Sequence, residues 1–242
     1  MNRALYAAAT GMAAQQQNLE VIANNLANAD VAGFKGATAS FTDIALPGGG
    51  GLGTAQLGEH VLFAQGKLVK SGGPFDMAIE GPGFFGVRNA RGERAYTRDG
   101  QFAREPDGSL RNVQGWRLPG IRIPADAVSV SVSEDGSVTA HLAHGTRACG
   151  KVRLAAFASP ERLESLGGTL FRPTVASGPA RSVPAGLPDG PKIRFGMIEQ
   201  SNVSIVEAMM EILAAQRAYE ANAKGVQAAD EMLRIADNLN RA

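Results

Sequence analysis

The sequence is poor in the residues on which most catalytic and metal chemistry depends. Its 242 residues include only one cysteine, three histidines and one tryptophan. The single Cys149 excludes a disulfide within the chain and a zinc site built from several cysteines. No apolar run reaches the roughly 18 residues that a membrane-spanning helix needs, so we expect no membrane insertion. Charge of either sign is nearly balanced, with 24 Lys and Arg against 23 Asp and Glu, and this predicts no nucleic-acid partner.

The motifs that carry cofactor or catalytic chemistry are missing or out of context. Residues 81–86 match the G-x-G-x-x-G spacing, but the residues after them predict a strand and turn instead of the helix that phosphate binding needs. His141, His144 and Cys149 are candidate metal ligands, yet His-x-x-His spacing in a strand does not place both rings on one face. Acidic pairs lie beside turn glycines, where solvation explains them better than acid–base catalysis. We therefore expect no catalytic residue, no cofactor and no metal.

Proline and phenylalanine divide the chain into helical ends and a β-rich centre. All 12 prolines lie between Pro47 and Pro191, and the ends are rich in Ala, Leu, Met, Gln and Glu, which favour helices. The centre is rich in Gly, Pro, Val and Phe, which favour strands and turns. This pattern predicts an α+β fold. Its expected parts are a terminal-helix domain formed by residues 1–30 and 199–242, an extended Gly-rich connector arm over 31–73, and a mostly antiparallel β domain over 74–198.

Both predicted helices, over about residues 3–28 and 203–240, carry apolar residues at every seventh position. Small residues, mostly alanine, fall three positions later in the second helix. The pattern predicts that the two helices pair as a coiled coil, and packing of each helix on the β centre is the alternative. Ser201 or Asn202 is the expected N-cap of the second helix. The seam residues, which we expect to carry self-assembly, are Leu5, Met12, Leu19, Ile22, Leu26, Ile205, Ile212, Tyr219, Val226 and Leu233.

The two ends bury too little apolar surface by themselves to offset the backbone entropy of two long helices. We therefore expect them to become ordered on assembly with other subunits, which makes the protein a homo-oligomer. The connector contains four consecutive glycines at residues 48–51. A flexible linker is the simplest interpretation of this segment, and an arm that docks on a neighbouring subunit is the alternative.

Five arginines cluster along one predicted β region. A nucleic-acid surface needs exposed aromatic residues among its cations and a stronger excess of positive charge, and acidic residues interrupt this cluster, so it does not indicate such a surface. A solvated face is the simplest interpretation, and charge complementarity with the negative ends of neighbouring subunits is the alternative. The arginines are Arg88, Arg91, Arg94, Arg98 and Arg104.

The N-terminal segment resembles a known signature. Residues 21–28, followed by Gly33, Phe34 and Lys35, are similar to the N-terminal signature of bacterial flagellar rod and hook proteins. The family usually has Thr or Ser shortly before that glycine, where residues 30–32 here read Asp-Val-Ala.

Two further regions support the resemblance. Residues 199–203, 216–220 and 229–233 are similar to the C-terminal signature of the family. Residues 75–85 with 95–100 resemble the start of the β domain that rod and hook proteins share. The signature residues carried over from the family are Asn24, Asn25, Asn28, Gly33, Phe34, Gln200, Ser201, Asn202, Arg217 and Tyr219.

The resemblance implies a structural subunit of the bacterial flagellar basal-body rod and not an enzyme. In this family the terminal helices form an inner coiled-coil tube, the β domain forms an outer layer, and the subunits stack helically into a hollow driveshaft that transmits torque from motor to hook. The implied partners are further copies of the chain, adjacent rod and hook proteins, surrounding ring proteins and the flagellar type III export apparatus. The implied location is the periplasmic rod, reached without a cleaved signal peptide.

Within the family, residues 199–203 and 229–233 are most similar to the distal rod member, and the proximal rod is the alternative. A hypothesis from another class is a secreted β-rich ligand-binding protein. That hypothesis predicts a well-ordered monomer with a concave polar pocket and no dependence on the chain ends.

Overall fold

The computed structural model describes residues 3–45, 51–188 and 190–240. The chain divides into two compact units, which are described in turn. We name them the helical unit and the β unit. The helical unit comprises Met1–Ala27, Gly36–Leu62 and Val203–Ala242, and the β unit comprises Asn28–Lys35 and Phe63–Asn202.

The helical unit contains two long helices and one antiparallel hairpin. Its elements are α1 (Arg3–Ala27), β1 (Ala37–Ala45), β2 (Gly51–Val61) and α2 (Ile205–Asn240). The helices α1 and α2 pack against each other, and α1 also contacts both strands of the hairpin. Most of the described part of the predicted connector arm is therefore paired β structure in place of a flexible linker, and residues 46–50, which include three of its four consecutive glycines, lie outside the described residues. The β-branched residues Thr38, Thr42 and Ile44 of β1, together with Phe41, favour this ladder, and the glycines of β2 fit where the register shifts.

The N-cap of α2 differs from the sequence prediction. The backbone NH of Ala208 donates to the carbonyl oxygen of Ser204 at 2.9 Å, and the NH of Glu207 donates to the Ser204 hydroxyl at 3.4 Å. Ser204 therefore caps the helix, and the prediction of Ser201 or Asn202 was wrong. The Ser-x-x-Glu spacing of Ser204 and Glu207 is the usual sequence signal of such a cap.

The β unit is built from short strands, all of whose described pairings are antiparallel, which confirms the predicted antiparallel character of the centre. Its strands are β3 (Leu68–Lys70), β4 (Met77–Glu80), β5 (Phe84–Arg88), β6 (Arg94–Thr97), β7 (Phe102–Arg104), β8 (Leu110–Asn112), β9 (Arg117–Leu118), β10 (Ala127–Val132), β11 (Ser137–Leu142), β12 (Gly145–Lys151), β13 (Leu154–Ala156), β14 (Glu164–Gly167), β15 (Leu170–Arg172), β16 (Arg181–Val183), β17 (Lys192–Phe195) and β18 (Met197–Glu199).

The largest sheet runs in the order β14-β15-β6-β5-β9-β8-β7, with β13 and β16 attached beside β5. Strand β5 pairs with β6 along one edge. Its other edge is shared, because β13 pairs with Phe84 and Phe85 while β9 pairs with Arg88. The smaller sheets are β10-β11-β12, β17-β4 and β18-β3. Residues 81–83 form the turn into β5, so the glycine-rich segment leads into a strand, as the sequence predicts.

The core of the β unit is aliphatic and aromatic. Its largest members have almost no exposed surface and come from strands distributed along the unit, among them Met77, Ile79, Phe85, Leu110, Ile123, Leu154 and Ile193. Trp116, the only tryptophan of the chain, packs against the edge of this core and is half-buried. Its fluorescence is therefore a specific probe of the folding of this unit.

Candidate functional site

Small residues let the two helices of the helical unit approach closely. Ala208, Ala215 and Ala229 are buried on α2. A Cβ added to Gly11 of α1 would lie only 3.0 Å from the amide nitrogen of Asn222 on α2. The helices thus meet along the small-residue line that the sequence pattern places three positions after the large apolar residues.

The structure distributes the predicted seam residues over three environments. Ile22 is buried, whereas Ile205 and Tyr219 remain 43% and 41% exposed in the single chain. The side chain of Leu233 lies outside the part of the structure that is described. The remaining seam residues are half-buried, namely Leu5, Met12, Leu19, Leu26, Ile212 and Val226.

The first turns of α2 carry a second apolar face that the helix pairing does not use. Its members are Val206, Met209, Met210 and Leu213, which are between 53% and 67% exposed. Positions 206, 210 and 213 follow helical spacing, so these side chains lie on one side of the helix. An exposed stripe of large apolar side chains marks a surface that another protein covers.

Hydrogen bonds from α1 fix the hairpin of the helical unit. The Asn25 side-chain amide makes two hydrogen bonds to the backbone of Ala37. Its Nδ2 donates to the Ala37 carbonyl oxygen at 2.7 Å, and its Oδ1 accepts from the Ala37 NH at 2.9 Å. The Thr10 hydroxyl accepts from the NH of Thr54 at 3.2 Å. A Cβ at Gly53 would lie 1.9 Å from that hydroxyl oxygen, so glycine is required for the contact. The signature residue Asn25 thus joins the end of α1 to the start of β1.

In the β unit, the structure brings the two distant signatures together. The NH of Gly33 donates to the carbonyl oxygen of Glu199 at 2.7 Å. Gly33 has a φ of +69°, and a Cβ there would lie 2.3 Å from the backbone nitrogen of Asp99. Phe34 is buried beside it. The Asn202 side chain donates to the carbonyl oxygen of Ala64 at 3.3 Å.

The other signature residues lie apart from this meeting point. Asn24 and Arg217 are exposed, Asn28 and Ser201 are half-buried, and Gln200 is exposed although its NH donates to the carbonyl oxygen of Lys67 at 2.9 Å.

A buried ion cluster occupies the point where the signatures meet. Lys35 Nζ lies 2.6 Å from Glu199 Oε1, and neither side chain has exposed surface. Arg98 Nη1 lies 3.3 Å from the other carboxylate oxygen, Glu199 Oε2. The NH of Gly66 also donates to Glu199 Oε1 at 2.9 Å, and Lys35 donates to the carbonyl oxygen of Ala64 at 2.7 Å. Every oxygen of the buried carboxylate is thereby satisfied.

Arg98 is the second cation of this ion cluster. It donates to the carbonyl oxygen of Gly81 at 2.9 Å, and its guanidinium lies 5.4 Å from the ring centre of Phe84. Burial lowers the pKa of both Lys35 and Arg98, and the Glu199 carboxylate opposes the shift in each case. The prediction that Arg98 belongs to a solvated arginine face was wrong, because its side chain is buried in the ion cluster with Lys35 and Glu199.

Next to Arg98 lies a carboxyl group with an unusual pKa. Asp99 is buried, and burial raises its pKa to about 6, with the charge of the nearby Asp76 adding to the shift. The hydrogen bond from the Gln101 NH to Asp99 Oδ1, at 2.9 Å, opposes the shift. The chain thus retains a carboxyl that titrates near neutral pH within its β unit.

In the sequence, Lys35, Arg98 and Glu199 stand out only as members of longer motifs. The sequence does not predict that they form one ion cluster, because residues so far apart along the chain give no local sign that they meet. The one available signal was Glu199 itself, a charge at the end of an apolar strand.

Metal binding and membrane insertion find no support in the described residues. No group of three or more His, Cys, Asp or Glu side chains there is arranged to hold a metal ion. His141 is exposed and shares a hydrogen bond with the Ser131 hydroxyl, and Cys149 is buried. None of the described helices combines the length and apolar character that crossing a membrane requires.

Comparison with known families gives one consistent result along the chain. The family described as "Flagella basal body rod protein" matches residues 5–35. The family "Flagellar hook protein FlgE/F/G D1 domain" matches residues 78–140, and "Flagellar basal body rod FlgEFG protein C-terminal" matches residues 195–239.

Comparison with individual proteins extends the similarity to the full length. The flagellar basal-body rod protein FlgG of Agrobacterium fabrum is 38% identical over an alignment 258 residues long. The alignment covers 96% of this chain and 97% of the relative. FlgG of Borreliella burgdorferi is 37% identical over 264 residues, with 100% of both chains covered. The rod protein FlgF of Caulobacter vibrioides is 33% identical over 251 residues, covering 98% and 97%.

Proposed function

The chain belongs to the family of flagellar basal-body rod proteins, as a structural subunit of the distal rod and not an enzyme, and we propose that its copies polymerise into the hollow helical driveshaft that transmits torque from motor to hook. The observation that carries the proposal is the second apolar face of α2. Val206, Met209, Met210 and Leu213 are more than half exposed in the single chain. Covering them with further copies removes this area from water, which favours assembly by the hydrophobic effect.

We propose that the pairing of α1 and α2 is a coiled coil whose seam is completed on assembly. Support comes from the buried alanines of α2 and from the close approach of Gly11 to Asn222. The exposed seam residues Ile205 and Tyr219 then gain their partners from neighbouring subunits. Rigidity of the shaft follows, because each helix is packed on more than one side.

We further propose that the predicted segments keep separate tasks in the rod. The terminal segments 1–30 and 199–242 supply the helices of the inner tube, the hairpin within the arm over 31–73 contacts neighbouring copies, and residues 74–198 form the outer layer. The arm's hairpin is anchored by Asn25, which would hold it in position for such contacts.

The proposed partners are further copies of the chain, adjacent rod and hook proteins, the surrounding rings and the flagellar export apparatus. The proposed location is the periplasmic part of the basal body, reached through that apparatus without a cleaved signal. The export proposal is supported by the incomplete burial of the apolar residues of α1 and α2 in the single chain, because helices in proteins gain most of their stability from tertiary packing.

The test replaces one exposed apolar residue of α2 in the bacterium that makes the protein. Leu213→Asp places a charge on the second apolar face without disturbing buried contacts, because Leu213 is 56% exposed. We expect hook–basal bodies isolated from this strain to lack complete rods and hooks in electron micrographs, and the cells to be non-motile. Gln227→Asp, at an exposed polar position of the same helix, is the matched control and should support motility. Normal basal bodies with Leu213→Asp would contradict the proposal.

A further inference from the structure

The surface of the β unit contains a groove lined only by neutral and positively charged residues. The groove has a volume of about 680 Å³ and lies at the shared edge of β5. Arg88, Arg94, Lys151 and Arg153 are the charged residues of its lining, and all four are exposed. The described lining contains no acidic residue. A groove of this kind concentrates positive potential.

Four arginines form a row across neighbouring strands, and two of them, Arg88 and Arg94, line this groove. Arg94 of β6 is the register partner of Arg88 of β5, and Arg88 is in turn the partner of Arg117 of β9. Arg117 is the partner of Arg111 of β8. Directly opposed residues on antiparallel strands project from the same face, and like charges in such pairs destabilise a sheet. The row therefore reduces the stability of the isolated fold.

The chain neutralises only half of this arginine row. Glu105 pairs with Arg111 at 3.1 Å and with Arg117 at 2.6 Å, and Asp107 pairs with Arg117 at 3.4 Å. Within the described part of the chain, Arg88 and Arg94 form no ion pair. Lys151, which also lines the groove, pairs with Asp135 at 2.9 Å, whereas Arg153 forms no ion pair with a described residue.

We propose that this groove is a docking surface for an extended, acidic segment of another protein. Its carboxylates would pair with Arg88, Arg94 and Arg153, in the way that Glu105 already pairs with the other half of the row. Guanidinium groups bind carboxylates through two parallel hydrogen bonds, which gives orientation as well as attraction. Alternate side chains of an extended segment are about 7 Å apart, so two successive acidic residues reach different arginines.

The lining favours a peptide over a single-stranded nucleic acid. Proteins that bind single strands stack the bases on exposed aromatic rings. Tyr96 is the one aromatic residue of the described lining, and it is buried. The aliphatic lining residues Val87, Leu118 and Leu154 belong to the core and expose only 1–2% of their surface, so the accessible lining consists mainly of the charged side chains and backbone. Charged side chains along the lining suit an extended segment with an acidic residue at every second position, because such spacing places its carboxylates on one face.

The test measures binding of such a segment to the purified full-length chain. The probe is a fluorescein-labelled peptide of alternating Glu and Val residues. Its dissociation constant is measured by fluorescence anisotropy at increasing salt concentration. Arg88→Glu/Arg94→Glu should weaken binding by roughly tenfold to a hundredfold, because each charge-assisted hydrogen bond contributes more than a neutral one. Arg91→Glu/Arg147→Glu makes the same charge change at exposed arginines outside the lining and should leave the affinity unchanged.

Two kinds of result would overturn the proposal. Absence of peptide binding, or equal weakening by both double variants, would show that the groove has no specific role. Tighter binding of polyphosphate or an oligothymidylate than of the peptide would assign the groove to a different class of ligand. Arg88→Gln/Arg94→Gln guards against misfolding, since removing opposed like charges should preserve or raise the stability reported by Trp116. The inference does not depend on rod assembly, because the binding is measured on the single chain.

Discussion

Lys35 Nζ and Glu199 Oε1 lie 2.6 Å apart with both side chains fully buried, although 164 positions separate the two residues in the sequence. Lys35 ends the N-terminal signature and Glu199 opens the C-terminal one. The contact therefore closes the β unit at the place where its first and last segments meet, and Arg98 completes the ion cluster from the strand side. Removing one member of such a cluster leaves buried charge without a partner.

The first prediction concerns the carboxylate of this cluster. Glu199→Gln keeps the shape of the side chain but leaves Lys35 and Arg98 as two buried cations. We expect the free energy of unfolding of the β unit to fall by about 3–5 kcal/mol, the usual effect of breaking a buried pair. Denaturant unfolding followed by Trp116 fluorescence measures this loss.

The control is the same substitution in an exposed pair of the same unit. Glu164 pairs with Arg172 at 2.9 Å, with both side chains about half exposed. Glu164→Gln should therefore change the free energy of unfolding by no more than about 1 kcal/mol. Equal effects of the two substitutions would show that burial of the cluster contributes nothing.

The second prediction separates backbone strain from steric contact at Gly33. Gly33→Ala requires a left-handed conformation and would bring Cβ to 2.3 Å from the Asp99 nitrogen. Gly92→Ala requires the same kind of conformation, with φ at +85°, but its Cβ would meet nothing within 4 Å. We expect a loss of about 1–2 kcal/mol for Gly92→Ala from conformation alone, and a clearly larger loss for Gly33→Ala. Similar unfolding midpoints for the two variants would contradict the close approach.

The third prediction is a pH dependence that originates from Asp99. Because burial raises its pKa from 3.8 to about 6, the folded chain keeps a proton that the unfolded chain releases between those values. The contribution of Asp99 to stability is therefore greatest below about pH 4 and declines as the pH rises through 6.

Asp99→Asn removes this titration while its side-chain oxygen can still accept from the Gln101 NH. The stability advantage of Asp99→Asn over the parent chain should grow by about 1 kcal/mol between pH 5 and pH 7. Unfolding midpoints at the two pH values, again read from Trp116, measure the difference. An advantage that stays constant over this range would mean that Asp99 titrates at its ordinary value.

The helices and the antiparallel character of the centre could be predicted because their signals are local. Apolar residues at every seventh position, such as Leu5, Met12 and Leu19, indicate a helix without knowledge of its partner. Turn glycines and β-branched runs likewise indicate strands and hairpins. The hairpin after Gly36 was misjudged because its glycines resemble a linker, although Phe41 and its neighbours alternate as a strand does.

Long-range pairing could not be predicted, because it depends on register and not on composition. Nothing near Lys35 in the sequence points to Glu199 as its partner. In the same way, the sequence predicts that Arg88 and Arg94 are neighbours. That Arg117 lies in the same row follows only from the strand pairing, and that Arg98 lies outside it follows only from its buried contact with Glu199. Likewise, no local sequence signal reports the raised pKa of Asp99, because burial is its largest cause.

The most direct test of the account is oxidation of methionines by dilute peroxide, compared between the single chain and isolated basal bodies. Met209 and Met210 of α2 are 53% and 58% exposed, whereas Met77 is fully buried in the β unit and serves as the internal control. The account predicts that Met209 and Met210 oxidise readily in the single chain and become protected in the assembled rod, while Met77 is protected in both. Equally fast oxidation of Met209 and Met210 in assembled rods would contradict it, since this face of α2 would then remain in contact with water.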